Sequence, residues 1–192
     1  MQLLFLGDSI TDAGHHFTSD GLGNGFVRLL SQQLPGHAIT NRGQDGFTVR
    51  RTAQMLAQDP GSCTPDLATL LVGINDVPLQ LFAGQTLDDF ASAYESVLKA
   101  LASCKTVITA EPFLFDRPES YRAWRPLLLE ESRIIRKLSE SRGCLFLPLQ
   151  KMFDDASSRC GTESLTTDGI HLTPSGNALL AKAWLSLAAP FL

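Results

Sequence analysis

Five short apolar runs, separated by stretches of helical spacing, set the strongest limit on how this chain can fold. The runs lie at 3–6, 37–41, 67–72, 106–110 and 145–147. Each suits a strand, and none approaches the ~20 apolar residues of a membrane-spanning helix. Between and after them the spacing predicts helices over 26–34, 48–58, 87–103, 125–142 and 173–187. In the third of these, Phe90, Tyr94, Val97, Leu98 and Leu101 recur at helical intervals and mark one buried face. Pro35-Gly36 and Pro60-Gly61 stop the first two helices. Thr173 followed by Pro174 gives the last one an N-cap and a first helical residue. No two runs are joined by a hairpin turn. Strands linked through helices lie parallel and carry helices on both faces, so an α/β fold with a five-stranded parallel sheet is expected.

The 192 residues, 44% of them apolar, suffice for one domain spanning 1–192, with no repeat, low-complexity tract or linker to divide it. A formal charge of −4 and a pI near 5.5 argue against nucleic acid as a partner. No basic segment precedes an apolar stretch at the N-terminus, so no signal peptide is read. Cys63, Cys104, Cys144 and Cys160 are widely spaced and form no Cys-x-x-Cys pair. Reduced, mostly buried thiols in a cytoplasmic protein are therefore expected. No His/Cys/Asp cluster has ligand spacing, so neither a metal nor another cofactor is expected. Self-association as a homo-oligomer stays open.

The chemistry-bearing motifs fall where strands end. Leu3-Leu4-Phe5-Leu6 runs into Gly7-Asp8-Ser9, which places a serine at the carboxyl end of a central strand, where open α/β sheets keep their sites. A helix starting near Ser9 would aim its free N–H groups at negative charge forming beside the hydroxyl. Asp8 and Ser9 could equally do no more than cap that helix. Asn41-Arg42-Gly43 and Gly73-Ile74-Asn75-Asp76 follow the second and third runs, and Asp168-Gly169-Ile170-His171 precedes the last helix. A serine nucleophile needs a proton acceptor that works near neutral pH, which His171 supplies. Asp168, three residues earlier, can fold back to orient the imidazole. The Ser9 amide, the Gly43 amide and the Asn75 side chain could then serve a tetrahedral oxyanion. Each motif alone has a plainer role: Asn75 and Asp76 as turn formers, Gly43 as a site of positive φ, Asp168 as a turn cap. His171 alone could be an ordinary loop histidine. Their order and placement make the joint catalytic reading the stronger one.

The set Gly7-Asp8-Ser9, Gly43, Gly73-x-Asn75-Asp76 and Asp168-x-x-His171 resembles the GDSL or SGNH hydrolase family, over nearly the whole chain. The resemblance implies a three-layer α/β/α, flavodoxin-like fold and metal-free ester hydrolysis. It implies Ser9 as nucleophile, Asp168 and His171 as its triad partners, and Gly43 and Asn75 in the oxyanion hole. Ile10 stands where the family name has leucine, an exchange of similar aliphatic volume. The blocks Asn-Arg-Gly and Val-Gly-Ile-Asn-Asp-Val look most like the carbohydrate and xylan acetylesterase branch. A serine esterase acting on small acyl esters, such as acetylated sugars, is the expectation. A lysophospholipase or thioesterase on longer chains would use the same site, and an acyltransferase would share its acyl-enzyme. A non-catalytic flavodoxin-like binding module is the alternative of another class; the lack of a glycine-rich phosphate loop and the presence of Asp8 and Asp12 argue against it. Val77, Phe113, Ile170 and Leu172 are candidate pocket linings, and the loop over 116–124 is either a lid or substrate wall or a solvated connection.

Overall fold

In the computed structural model, which describes residues 1–59, 61 and 64–192, strand β1 (Gln2–Gly7) sends alternate side chains to opposite faces of a sheet. Leu3 and Phe5 enter one hydrophobic core, and Leu4 and Leu6 enter another. A run apolar at every position is what a strand covered on both faces requires. The other strands are β2 (Ala38–Gly43), β3 (Leu67–Leu71), β4 (Thr106–Ala110) and β5 (Leu145–Leu147). The sheet order is β2-β1-β3-β4-β5, with every neighbouring pair parallel. This is the doubly wound order whose switch point lies between β1 and β3.

The first core packs helices α2 (Phe26–Gln33), α7 (Gln150–Cys160) and α8 (Pro174–Ala188) against the sheet. Trp184 of α8 stands against Phe5 with ring centroids 5.3 Å apart. Its Nε1–H donates to Thr69 Oγ1 at 2.8 Å, which gives the one polar side chain on that face of β3 a partner. The second core packs α3 (Val49–Gln58), α5 (Leu87–Ala100) and α6 (Arg125–Ser141) on the other face. The helical face of Phe90, Tyr94, Val97 and Leu98 read from the sequence is fully buried there. A capping box starts α5: Asp89 N–H donates to Thr86 Oγ1 at 3.1 Å, and Thr86 N–H donates to Asp89 Oδ2 at 3.0 Å. Two short helices complete the set, α1 (Ser9–Asp12) and α4 (Val77–Phe82).

Cross-strand register aligns the carboxyl ends. Gly43 pairs with Gly7, Gly7 with Leu71, Leu71 with Ala110 and Ala110 with Leu147. The loops that follow these five residues therefore leave one edge together. Strand β2 runs two residues past the expected end, because parallel pairing with β1 continues through Gly7↔Gly43. Cys104 and Cys144 are half-buried and Cys160 is exposed, all three as free thiols. Cys63, and the Pro60 read as a helix stop, lie outside the described residues.

Candidate active site

Helix α1 begins on the serine. Asp8 is its N-cap, with Oδ1 accepting from the Ile10 amide at 3.0 Å. The Asp8 carbonyl takes the Thr11 and Asp12 amides at 3.1 and 2.9 Å. The Ser9 N–H, in the first turn of the helix, has no acceptor among the described residues. Both readings of Asp8-Ser9 thus hold together: aspartate caps and serine is presented.

Ser9 Oγ lies 2.9 Å from His171 Nε2, across 162 residues of sequence. His171 Nδ1 lies 2.6 Å from Asp168 Oδ2. A carboxylate only accepts, so the imidazole hydrogen sits on Nδ1 and Nε2 is left to accept the Ser9 proton. The other oxygen, Asp168 Oδ1, takes the Ile170 and His171 amides at 2.9 and 2.8 Å. Burial pushes the Asp168 carboxyl up, but the His171 ring and the two amides outweigh it and hold the group below its ordinary value. The loop itself is fastened on several sides. Thr166 Oγ1–H donates to the His171 carbonyl at 2.8 Å, and Phe115 N–H donates to the Gly169 carbonyl at 2.9 Å. Thr173 caps α8, its Oγ1 accepting from Gly176 N–H at 3.2 Å, as the sequence predicts.

Asn75 sits half-buried at the end of β3, and its Nδ2 donates one hydrogen to the Phe47 carbonyl at 3.0 Å. Asp76 behind it is fully buried. Its Oδ2 accepts the Val49 amide at the start of α3, and its Oδ1 accepts Gln85 Nε2, each at 3.0 Å. Burial lifts Asp76 to about 6 in spite of these bonds. Asp8, 1% exposed, is lifted to about 7 by burial, with the Ile10 amide and the nearby His171 pulling the other way and Asp76 adding to the rise.

Gly43 arrives beside Gly7, as expected, but its amide donates to Asn41 Oδ1 at 2.9 Å. Asn41 Nδ2 in turn donates to the Thr11 and Leu22 carbonyls at 2.7 and 3.0 Å. To serve an oxyanion, the Gly43 N–H would have to be shared with Asn41. A second Asp-x-x-His spacing, which the sequence reading passed over, forms a buried pair on the same side. Asp12 Oδ1 meets His15 Nδ1 at 2.8 Å, and Asp12 Oδ2 accepts the Asp45 amide at 2.9 Å. This pair ties α1 to the loop that carries Phe47.

Of the candidate linings, Val77 is buried with Ile74, Leu114 and Leu128, and Ile170 packs on that small cluster. Phe113 lies in the main core, 4.3 Å from Phe153 between ring centroids, and Leu172 packs on the same core. The loop over 116–124 holds a short 3-10 turn, Glu119–Ala123. Its Tyr121 ring, with the Trp124 ring tilted against it at 4.7 Å between centroids, packs on the same small cluster as Ile170.

Comparison with known proteins gives consistent matches. The model of the GDSL-like lipase/acylhydrolase family matches residues 5–179. An acetylxylan esterase from Geobacillus stearothermophilus is 29% identical over 202 residues, covering 96% of this chain and 92% of that protein. The solved structure of Axe2, an acetylxylan esterase from Geobacillus stearothermophilus, superposes with a TM-score of 0.83 at 26% identity, over 96% of this chain and 92% of the other. An α/β hydrolase named LAE5, from the metagenome of Lake Arreo in Spain, superposes at 0.87 with 27% identity, over 98% and 94%. Two further Axe2 structures are of catalytic mutants, an aspartate and a histidine three positions apart each changed to alanine.

Proposed function

This chain belongs to the GDSL-like lipase/acylhydrolase family, and from that premise we propose that it hydrolyses short-chain acyl esters, acetylated carbohydrates foremost, through an acyl-enzyme on Ser9. It is a carboxylic ester hydrolase, as its family and its acetylxylan esterase relative are. The observation that carries the mechanism is the unbroken line Ser9 Oγ–His171 Nε2–Asp168 at 2.9 and 2.6 Å. Ser9 Oγ attacks the ester carbonyl carbon as its proton passes to His171 Nε2, and Asp168 stabilises the resulting imidazolium. The tetrahedral oxyanion takes hydrogen bonds from the Ser9 amide and from the second Nδ2 hydrogen of Asn75, with the Gly43 amide as a third, shared donor. Collapse returns the His171 proton to the departing alcohol oxygen and leaves the acyl group on Ser9 Oγ. Water, deprotonated by His171, then attacks the acyl-enzyme, and Ser9 leaves with that proton as the carboxylic acid departs. The Axe2 catalytic mutants, with their aspartate and histidine at the spacing of Asp168 and His171, support the assignment of both residues.

The choice of acetyl rests on the acetylxylan esterase relative. It is tested by a hydrolysis profile over p-nitrophenyl esters from acetate to decanoate, run beside acetylated xylo-oligosaccharides and with Ser9→Ala as control. A maximum at acetate, abolished in Ser9→Ala, is expected. A maximum at long chains moves the substrate to lysophospholipids or thioesters, and full activity in Ser9→Ala removes the acyl-enzyme.

A further inference from the structure

Glu131 lies in the middle of α6, completely buried. A carboxylate in that position calls for partners, and the charge of a paired cation is the usual one. None faces it among the described residues. Its Oε1 accepts from Gln80 Nε2 of α4 at 2.6 Å. Its Oε2 is buried without a hydrogen-bond partner, and so is Gln80 Oε1, the other end of the amide it touches. Two acceptor-only oxygens left orphaned on neighbouring side chains need one hydrogen between them.

The place of the pair gives it a bearing on the reaction. Gly73, where the oxyanion loop leaves β3, has φ +148, and a Cβ there would meet Glu131 Oε2 at 3.1 Å. Gln80 lies on the helix that begins directly after Asn75-Asp76. The Glu131 carboxyl therefore lies beside Gly73, where the Gly73-Ile74-Asn75-Asp76 segment begins, and is hydrogen-bonded to the helix that follows it. We propose that Glu131 is a neutral carboxylic acid whose O–H donates to Gln80 Oε1, closing a two-bond acid–amide ring, and that it is a positioning residue for Asn75.

The surrounding charges agree. Burial first, then the charge of Asp76, push the Glu131 carboxyl well above its ordinary range, while the Gln80 bond pulls weakly back. Asp76 in turn is faced by Arg50 of α3 and by Asp8 at the start of α1. On the neighbouring α5, Glu95 is taken by Arg142 and Lys99 at the solvent side. From the 116–124 loop, Asp116 is taken by Arg125. The nearest negative charge thus favours the proton, and the cations around are engaged elsewhere.

The positioning role rests on Asn75 as an oxyanion donor; the protonation state does not, and two of the three measurements need no substrate. The infrared difference spectrum of wild type minus Glu131→Gln at neutral pH is expected to show the C=O stretch of one protonated carboxyl, any band from Asp8 and Asp76 being common to both proteins. The folded state keeps the proton that the unfolded chain loses above its ordinary carboxylate range, so wild type loses more stability as pH rises than Glu131→Gln, which keeps only the part of the fall due to Asp8 and Asp76. The melting temperatures should nearly coincide near about pH 4 and separate in favour of Glu131→Gln by about pH 8. In turnover, Glu131→Ala should lower kcat by up to ~10²-fold with KM little changed, and Glu131→Gln should restore it. If Glu131→Ala does not fold, Gln80→Leu tests the same contact. A Glu131→Gln protein less stable than wild type at high pH, or a missing carboxyl band, overturns the neutral acid. Full kcat in Glu131→Ala or Gln80→Leu overturns the positioning role while leaving the hydrolase reading intact.

Discussion

Asp168 divides two tasks between its oxygens, and that division makes it separable by mutation. Oδ1 holds the Ile170 and His171 amides, and Oδ2 holds the imidazole. In Asp168→Asn the amide oxygen can keep the two backbone bonds, so the loop should hold its shape. The NH2 group would then face Nδ1, drive the ring hydrogen to Nε2, and leave Ser9 without an acceptor. The expected result is a fall in kcat of up to ~10⁴-fold with KM and melting temperature nearly unchanged. Near-normal kcat would reduce the triad to a Ser9–His171 dyad. Ser9, Asn75, Asp168 and His171 were legible as candidates because each stands in a short local motif next to a strand end or helix start. What Asn41 and Glu131 do, and the raised value of Asp8 beside its capping role, were not legible. Asn41 acts on Gly43 through a side-chain oxygen that any asparagine has, and only the close approach of α1 and Leu22 fixes its direction. Asp8 and Glu131 owe their properties to depth, which three-dimensional packing alone decides.

At the scale of elements, the nucleophile is set by how closely α1 rests on β2. A Cβ built on Gly43 would stand 2.3 Å from the Asp12 amide nitrogen and 2.7 Å from the Thr11 carbonyl carbon. These are backbone atoms and cannot turn aside. Gly43→Ala keeps the Gly43 N–H, so any loss it causes is steric and must come from moving the helix that starts at Ser9. A lower melting temperature together with a loss of kcat of at least ~10²-fold is expected. Full activity in this variant would mean that β2 yields and α1 does not. The sequence located β4 and β5 to the residue, since β4 lies between Lys105 and Glu111 and β5 between Gly143-Cys144 and Pro148. It missed α4 and α7, the second for a physical reason. Leu149 and Gln150 amides at the head of α7 are taken by Glu111 Oε2 at 2.8 and 2.9 Å, from the loop after β4. A helix capped from 38 residues away carries no start signal of its own.

For the molecule as a whole, carboxyl groups form two populations with opposite pH behaviour, and a buried group with enough partners, such as Asp12 beside His15, joins the lowered one. Asp8 and Asp76, buried at the sheet edge, have values raised to about 7 and about 6 by loss of solvent. Groups nearer the surface are held low: Asp66 by Lys105, Asp89 by the Thr86 cap, Glu95 by Arg142. A raised value means the folded state keeps a proton that the unfolded chain releases, so stability is full at low pH and falls as pH climbs through 6 and 7. A lowered value means the reverse, with stability lost as pH drops below the ordinary carboxylate range. The two trends meet on the mildly acidic side, and the melting temperature should peak between about pH 4 and 6. Since the pI is near 5.5, self-repulsion of the net charge would favour the same region and must be separated from it. Salt separates them: surface repulsion is largely screened at about 0.15 M, and the cost of ionising a buried group is not. Melting curves from about pH 4 to 9, at low salt and at about 0.15 M, should therefore keep their fall above pH 6. Asp8→Asn, which cannot ionise, should flatten that fall and leave the acid limb unchanged. A peak at alkaline pH, or an equal slope in Asp8→Asn, would show that Asp8 is ionised in the folded protein and that its negative charge is paid for by a partner other than Ile10 and His171.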